Sequence, residues 1–449
     1  TIEADGKVDV SAENNARVMS LAAGLSAQQG MFVGTGSFAI NALAGSSEAT
    51  IGDPKASSTA ATVRGLDNTG AAAVTLEATD TREIWSAAGS VAAGKGGTAA
   101  GGALGVNVAE GSVDAGLARA EVTAADITVD AHSDTGIASG SLAAGVTQGG
   151  NGALSGSFDL NLDLGSTSAD VEHSDLTLTA DGPLSVTAQD DSVIWGLAGG
   201  LTASSGTFAA GGSAAVNVTA HDIDAQLTDS GLATAGSDIT VDAARGGSIA
   251  GGAVGAAGSK QFAGGVAATV NVVADKVTAK VSGIGGIDTS AAAADAFEVD
   301  AGHGATLLAL GGQAALATSG AGVGGGITAN WSDAGVKAKL IDSRLAVADT
   351  TDVSAGTSGF IGAISLGLAG GKYAGLGGAL TFNGIRNDVD ALIRNTGQSR
   401  VSNVTTVEAT DTAATESVRT GASGAGSAPK SNDVEAGPVA ALVELGGGT

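Results

Sequence analysis

Hydrophobic and polar residues alternate along most of the chain, and the alternation takes two recurring forms. The first is a five-residue segment with alternating apolar positions that ends in alanine. It reads VDVSA at 8–12, VTLEA at 74–78, ITVDA at 127–131, LSVTA at 184–188, ITVDA at 239–243, FEVDA at 297–301, TDVSA at 351–355 and TTVEA at 405–409. The second is centred on asparagine: FAINA at 38–42, LGVNV at 104–108, FDLNL at 158–162, AAVNV at 214–218, ATVNV at 268–272, ITANW at 327–331 and LTFNG at 380–384. The two forms run in phase. They define a unit of about 56 residues, repeated seven times with the start of an eighth.

Alternation with period two is the strand period. Val, Ile and Thr fill the larger positions, as strands favour. Each unit reads as four strand segments: the V-x-V-x-A segment, a run of small residues, the Asn segment entered through Gly-Gly, and a V-x-A-x-L segment such as 223–227 or 336–340. No stretch shows a capped 3.6-residue pattern, and glycine this dense penalises helix. The chain is therefore expected to be all-β, a β-solenoid (parallel β-helix) of about seven repeats over residues 1–411. The longer first unit carries a loop around Gly52-Asp53-Pro54-Lys55. Residues 412–449 lose the pattern and read as a Gly/Ser/Ala-rich linker and the start of a following segment. Both termini read as cut from something longer.

The two parities have different chemistry. In the first segment the apolar parity (Val8, Val10, Ile127, Val129) is expected inside. The other parity carries Asp9, Glu77, Asp130, Asp242, Asp300 and Glu408, which in-register stacking would align as a stripe. Opposed like charges destabilise a sheet. The stripe is either a solvated face that discourages edge association or a row that holds Ca²⁺ through Asp130, Asp242 and Asp300. In the second segment Asn41, Asn107, Asn161, Asn217, Asn271, Asn330 and Asn383 have small or polar residues two positions away. The larger residues, such as Phe158, Leu160, Val216 and Phe382, take the opposite parity. The asparagines are expected to stack as an amide ladder, while each unit buries its apolar parity against the next.

Composition narrows the function. Gly supplies 74 residues, Cys none and Pro 4. There is thus no disulfide framework, thiol chemistry or Cys-based zinc site, and no collagen period. A formal charge of −26 argues against nucleic acid and anionic lipid as partners. The longest uncharged stretch, 305–332, has Gly clusters and few large aliphatics, so no membrane insertion is expected. The four histidines share no repeat position and are expected at the surface. Gly89 to Lys95 imitates a P-loop without the following Ser/Thr and helix, and Gly320-x-Gly322-x-x-Gly325 is a match expected by chance in so much glycine. Asp159/Asp163 and Asp190/Asp191 are the only carboxylate pairs of interest for sugar chemistry. No enzyme activity and no cofactor are expected.

The pairing of V-x-V-x-A with G-G-x-x-V-N-V resembles the repeat regions of very large secreted bacterial adhesins, of the leukotoxin-like and filamentous-haemagglutinin-like class. The likeness covers roughly residues 8 to 409. It implies a rod-like shaft segment, extracellular at the bacterial cell surface, that serves attachment, matrix or biofilm contacts. Its partners would be neighbouring segments of a longer chain or filament, and host surface or glycans. A polysaccharide-binding or polysaccharide-cleaving β-helix is the alternative, although sugar-stacking aromatics are nearly absent. An outer-membrane barrel would need aromatic girdles that the sequence does not display.

Overall fold

Period-two alternation continues for about twenty residues at a time, and each such run is one strand. The structure, a computed structural model, describes all residues except 5, 60, 66–72, 180–181, 235, 286–293, 344–346, 395–403, 423–438 and 445–449. One coil shows the plan. Leu184–Ser204 runs out along the first sheet, a turn at 205–207 reverses the chain, and Phe208–Thr228 returns along the second sheet. The short strand Gly231–Ala233 then lies in a third sheet before Ile239 opens the next coil. The described residues contain no helix.

Two long strands and a short one thus replace the four segments expected. Nothing between the V-x-V-x-A segment and the small-residue run breaks extension, so they form one strand, as do the Asn and V-x-A-x-L segments. In one coil the second strand is interrupted at Ala274-Asp275, between Phe262–Val273 and Lys276–Ser282.

All pairing is parallel and in chain order, as in a β-solenoid with one coil per repeat. Ala131, Ala188, Ala243 and Ala301 stand side by side in the first sheet, and Asn161, Asn217, Asn271 and Asn330 in the second. Strands about 4.8 Å apart give eight coils an axial length of about 35 Å, whereas a 21-residue strand reaches about 70 Å across the axis. The described stack is a blade, wider than it is long, and not a rod. Pairing continues past residue 411: Ala414–Ala422 adds to the first sheet where a linker was expected.

A corner repeats where the second sheet passes to the third. Arg119, His173, Asp229 and Asp342 have positive φ of 51, 49, 48 and 49°. Each N–H donates to the next coil's carbonyl, as from His173 to Thr228 at 3.0 Å, which holds the strained corner in place.

The coil's interior changes along its width. At the proximal end the third sheet holds the two long sheets apart, and Leu, Ile, Val and Ala fill the space. Further out, Ile84, Ile137, Ile194, Ile249, Leu307 and Ile361 form a second buried row. Beyond it the two sheets converge on the tip turns. A Cβ on Gly101 would fall 2.3 Å from the Ala144 carbonyl oxygen, and one on Gly145 2.1 Å from that of Leu154. Apart from Val33 and Asp159, only Gly, Ala, Ser, Thr and the occasional amide fit between them. The expectation that every unit buries its apolar parity therefore holds only proximally. In the distal half the large side chains point outward because the gap between the sheets is too narrow to receive them.

Candidate functional site

Four features could carry function: the asparagine row, a buried charge network, the acidic stripe and the outer faces of the distal half.

The asparagines form one continuous chain of amide hydrogen bonds inside the blade. Nδ2 of Asn41, Asn107 and Asn161 each donates to Oδ1 of the next at 2.7 Å. The chain continues from Asn217 to Asn271 at 2.8 Å, to Asn330 at 2.9 Å and to Asn383 at 3.0 Å. All seven are buried. Glycines of the facing sheet make the room: a Cβ on Gly196 would lie 2.4 Å from Asn217 Oδ1, and one on Gly251 2.5 Å from Asn271 Oδ1. Only its end members, Asn41 and Asn383, reach solvent at all, which fits the row to set register and not to bind a ligand.

The charge network lies between the proximal core and this row, where the two long sheets still leave room for long side chains. Arg245 from the first sheet pairs with Asp190 (Nη1–Oδ1 3.1 Å) and with Asp275 (Nε–Oδ2 3.1 Å) from the interrupted second-sheet strand. His303 Nε2 is 3.3 Å from Asp275 Oδ2. His221 sits between Asp163 at 3.5 Å and Asp190 at 3.7 Å, closer to ion-pair than hydrogen-bond geometry. Earlier in the stack, Arg82 Nε meets Asp80 Oδ2 at 3.1 Å. These groups are buried, so His221 and His303 are not the surface residues expected. Burial pushes the Asp275 carboxyl up, but Arg245, His303 and His221 overcome it and hold it well below the usual carboxylate range. Burial pushes the His221 imidazole down, yet Asp163 and Asp190 raise it above its ordinary value.

The acidic stripe is real but broken. Glu77 stands beside Asp130, and Asp242 beside Asp300, while Thr187 separates the two pairs. Asp9 pairs with Thr75 and stands two residues off the row. Partial burial, then Asp300 and Glu298 alongside, push Asp242 up to about 6, and burial with Asp224 and Asp114 does the same for Asp170 on the other face. Among the described residues no three His, Asp or Glu are placed to share a metal ion.

These shifts set a pH profile. Carboxyls with raised folded pKa bind protons more tightly when folded, so they add stability as pH falls from above about 6 towards 4. The stability from a raised His221 is fully present below its unfolded value of 6.5 and is lost as pH rises through the folded one. Asp275, with its lowered pKa, protects fully above its unfolded value of 3.8 and loses that protection as pH falls towards its folded one. The melting temperature is therefore expected to rise from about pH 8 to about pH 5 and to fall below about pH 4. A thermal scan by circular dichroism checks this; a flat profile contradicts it.

The outer faces change character halfway along every coil. On Leu184–Ser204 the outward residues are Ser185, Thr187, Gln189 and Asp191, followed by Val193, Trp195, Leu197, Gly199, Leu201 and Ala203. Across the seven complete coils, the outward positions level with Trp195 through Ala203 carry no charged or polar side chain. On the second sheet those level with Phe208 through Val218 carry only Thr98. Exposed large side chains include Trp195 at 61%, Leu316 at 63% and Phe38 at 67%. Two shallow grooves cross the first face where small residues meet. One of about 710 Å³ is floored by Ala250 and Gly252 and walled by Trp195, Leu197, Leu308 and Phe360. The other, about 810 Å³, lies between Leu25, Val91, Leu201 and Val254.

The remaining sequence candidates do not converge. Asp159 and Asp163 both point inward on either side of Asn161 and are buried. Asp190 points inward and Asp191 outward. Gly89 and Lys95 belong to one strand and its end, with no helix following. The charge network and the apolar faces were not anticipated from sequence. Both had a signal in parity: Arg82 and Arg245 fall on the inward parity of their strands, and the large residues switch from even positions (184, 186) to odd ones (195, 197, 201) within one strand.

No family model, no curated protein and no solved structure matches the chain.

Proposed function

We propose that this chain is a structural attachment module: a β-solenoid segment of a bacterial surface filament or adhesin, displayed outside the cell, that works through its broad faces. The observation that carries this reading is the uniformity of the stack. Apart from one bulge at Ala294–Ala296, seven coils keep one register along both long sheets, tied by one amide row, and the outer faces repeat the same polar-to-apolar division in each coil. Repetition of this kind gives length and area, and the exposed apolar half gives adhesion without a cleft. Beads coated with the full chain are expected to adhere to a hydrophobic surface more strongly than to a hydrophilic one. Saturable binding or cleavage of a soluble polysaccharide, with no surface preference, would favour the sugar-directed alternative.

The solenoid reading has a mechanical corollary. Removing one whole coil, residues 189–243, rejoins Ala188 to Ala244, which occupy consecutive positions of the shared register. The shortened chain is expected to fold with the same circular dichroism per residue, since each coil contacts only its neighbours. Loss of strand signal beyond the missing coil would contradict independent stacking.

A further inference from the structure

The distal half of the blade has an ordinary protein's layers reversed. Its interior is mostly Gly, Ala, Ser, Thr and Asn, with Val33, Asp159 and Gln313 among them; the large residues of its exterior are Leu, Val, Ile, Met, Phe and Trp. We infer that this half is built to sit in the hydrocarbon of a lipid bilayer, with the acidic half standing outside it. This deepens the attachment reading above by naming what the faces attach to.

The dimensions agree. From Phe208 to Val218 the second face is apolar over about 33 Å, at about 3.3 Å per residue, and the hydrocarbon core of a bilayer is about 30 Å thick. The apolar band covers both faces at the same height, as Gly196 opposite Asn217 shows. A second copy could cover one face; lipid covers both and the tip between them.

Charge is segregated along the same direction. The carboxylates of the outer faces lie on the proximal side of the band. The tip turns and their flanks contain Lys95, Lys260 and Lys372 and no Asp or Glu, which suits headgroups on the far side.

Seven of the twelve aromatics stand at the band's borders, while Phe38, Phe158 and Phe382 lie within it and Phe360 just outside its proximal edge. Trp85 and Trp195 on the first face and Trp331 on the second stand on its proximal edge. Phe32, Phe208 and Phe262 stand in one row on its distal edge, with Tyr373 in a tip turn. Of the twelve aromatics only Phe297 is in the core. Aromatics at both borders of an uncharged band are the pattern of membrane β-proteins, and the second face has it; the first face carries aromatics at its proximal border alone. Stacking does not complete the girdles expected to be missing, but it gathers partial ones, because each coil contributes at most a few members. The expectation against insertion rested on total charge and on helix hydropathy, and neither describes where a solenoid puts its charges.

Parallel stacking pairs the backbone within the faces, as hydrocarbon demands. The edges of the outermost coils meet that demand when copies of the chain stack end to end in the bilayer.

The test uses the full chain, phosphatidylcholine vesicles and its three native tryptophans. The chain is expected to float with the vesicles, and lipids brominated near the glycerol end are expected to quench tryptophan emission more than lipids brominated at the chain terminus. Leu142→Glu and Leu380→Glu, outward in mid-band, should each lower vesicle partitioning at least tenfold with circular dichroism unchanged, while Thr187→Glu, outside the band, should not. A chain that stays in the aqueous phase overturns the proposal. So does self-association that Leu142→Glu abolishes and vesicles leave unaffected, since the faces would then pair with a second copy. Bead adhesion that survives without vesicle binding would overturn the lipid assignment and leave the attachment reading standing. Vesicle binding without bead adhesion would do the reverse.

Discussion

Arg245→Met is expected to lower the stability of the fold by about 3–5 kcal/mol, the usual consequence of removing one partner from a buried ion pair. The guanidinium is the cation shared by Asp190 and Asp275, each at 3.1 Å, and all three side chains are nearly inaccessible to solvent. With Met in its place, Asp190 keeps His221 at 3.7 Å and Ser192, while Asp275 keeps His303 at 3.3 Å and the His221 backbone N–H at 3.0 Å. These partners offset only part of the lost attraction. The exposed pair Lys276–Asp222, also at 3.0 Å, is the control: Lys276→Met should cost no more than about 1 kcal/mol. Denaturant midpoints compare the two. The Arg245 loss should shrink as pH falls and the stranded carboxyls take up protons. Equal, small losses would show that water reaches the network.

The same network shows where sequence reading stops. His221 lies in a second-sheet strand and His303 in a first-sheet strand two coils further on. No spacing rule joins them; they meet around Asp275 because the two sheets face each other across the coil. The repeat itself was plain, since Ala131, Ala188 and Ala243 occupy the same place in each unit and stand side by side in the sheet. The asparagine row was legible for the same reason. Which parity faces inward was not, because that depends on the distance between the sheets. The third sheet sets that distance proximally, where Leu184 and Val186 are buried. The tip turns close it distally, where Trp195 and Leu197 are turned out. Alternation alone is symmetric between two faces, and the short strands that break the symmetry, such as Gly231–Ala233, are too brief to recognise in sequence.

Asn217→Ala is expected to destabilise the protein more than Asn383→Ala. Asn217 accepts from Asn161 Nδ2 at 2.7 Å and donates to Asn271 Oδ1 at 2.8 Å. Its removal strands groups on both sides, and an unpaired buried polar group costs about 1–3 kcal/mol. Asn161 Nδ2 retains a 3.2 Å bond to Asp159, so the heavier loss falls on Asn271 Oδ1. Asn383 accepts from Asn330 at 3.0 Å, but Asn330 Nδ2 also donates to the Gly362 carbonyl at 2.8 Å, so removing the Asn383 amide leaves that donor satisfied. Asn217→Asp should be worse than Ala, because a carboxylate supplies no donor to Asn271 Oδ1 and sets two acceptors against each other in a dry site. Water cannot readily repair the gap, since Gly196 and Gly251 bring the facing backbone against the amides. The order expected in denaturant unfolding is therefore Asp worst, then Ala at 217, then Ala at 383. If Asn217→Ala and Asn383→Ala cost the same small amount, the amide row does not hold the coils in register. The rows of Ile194 and Val186, packed one coil upon the next, would then set it alone.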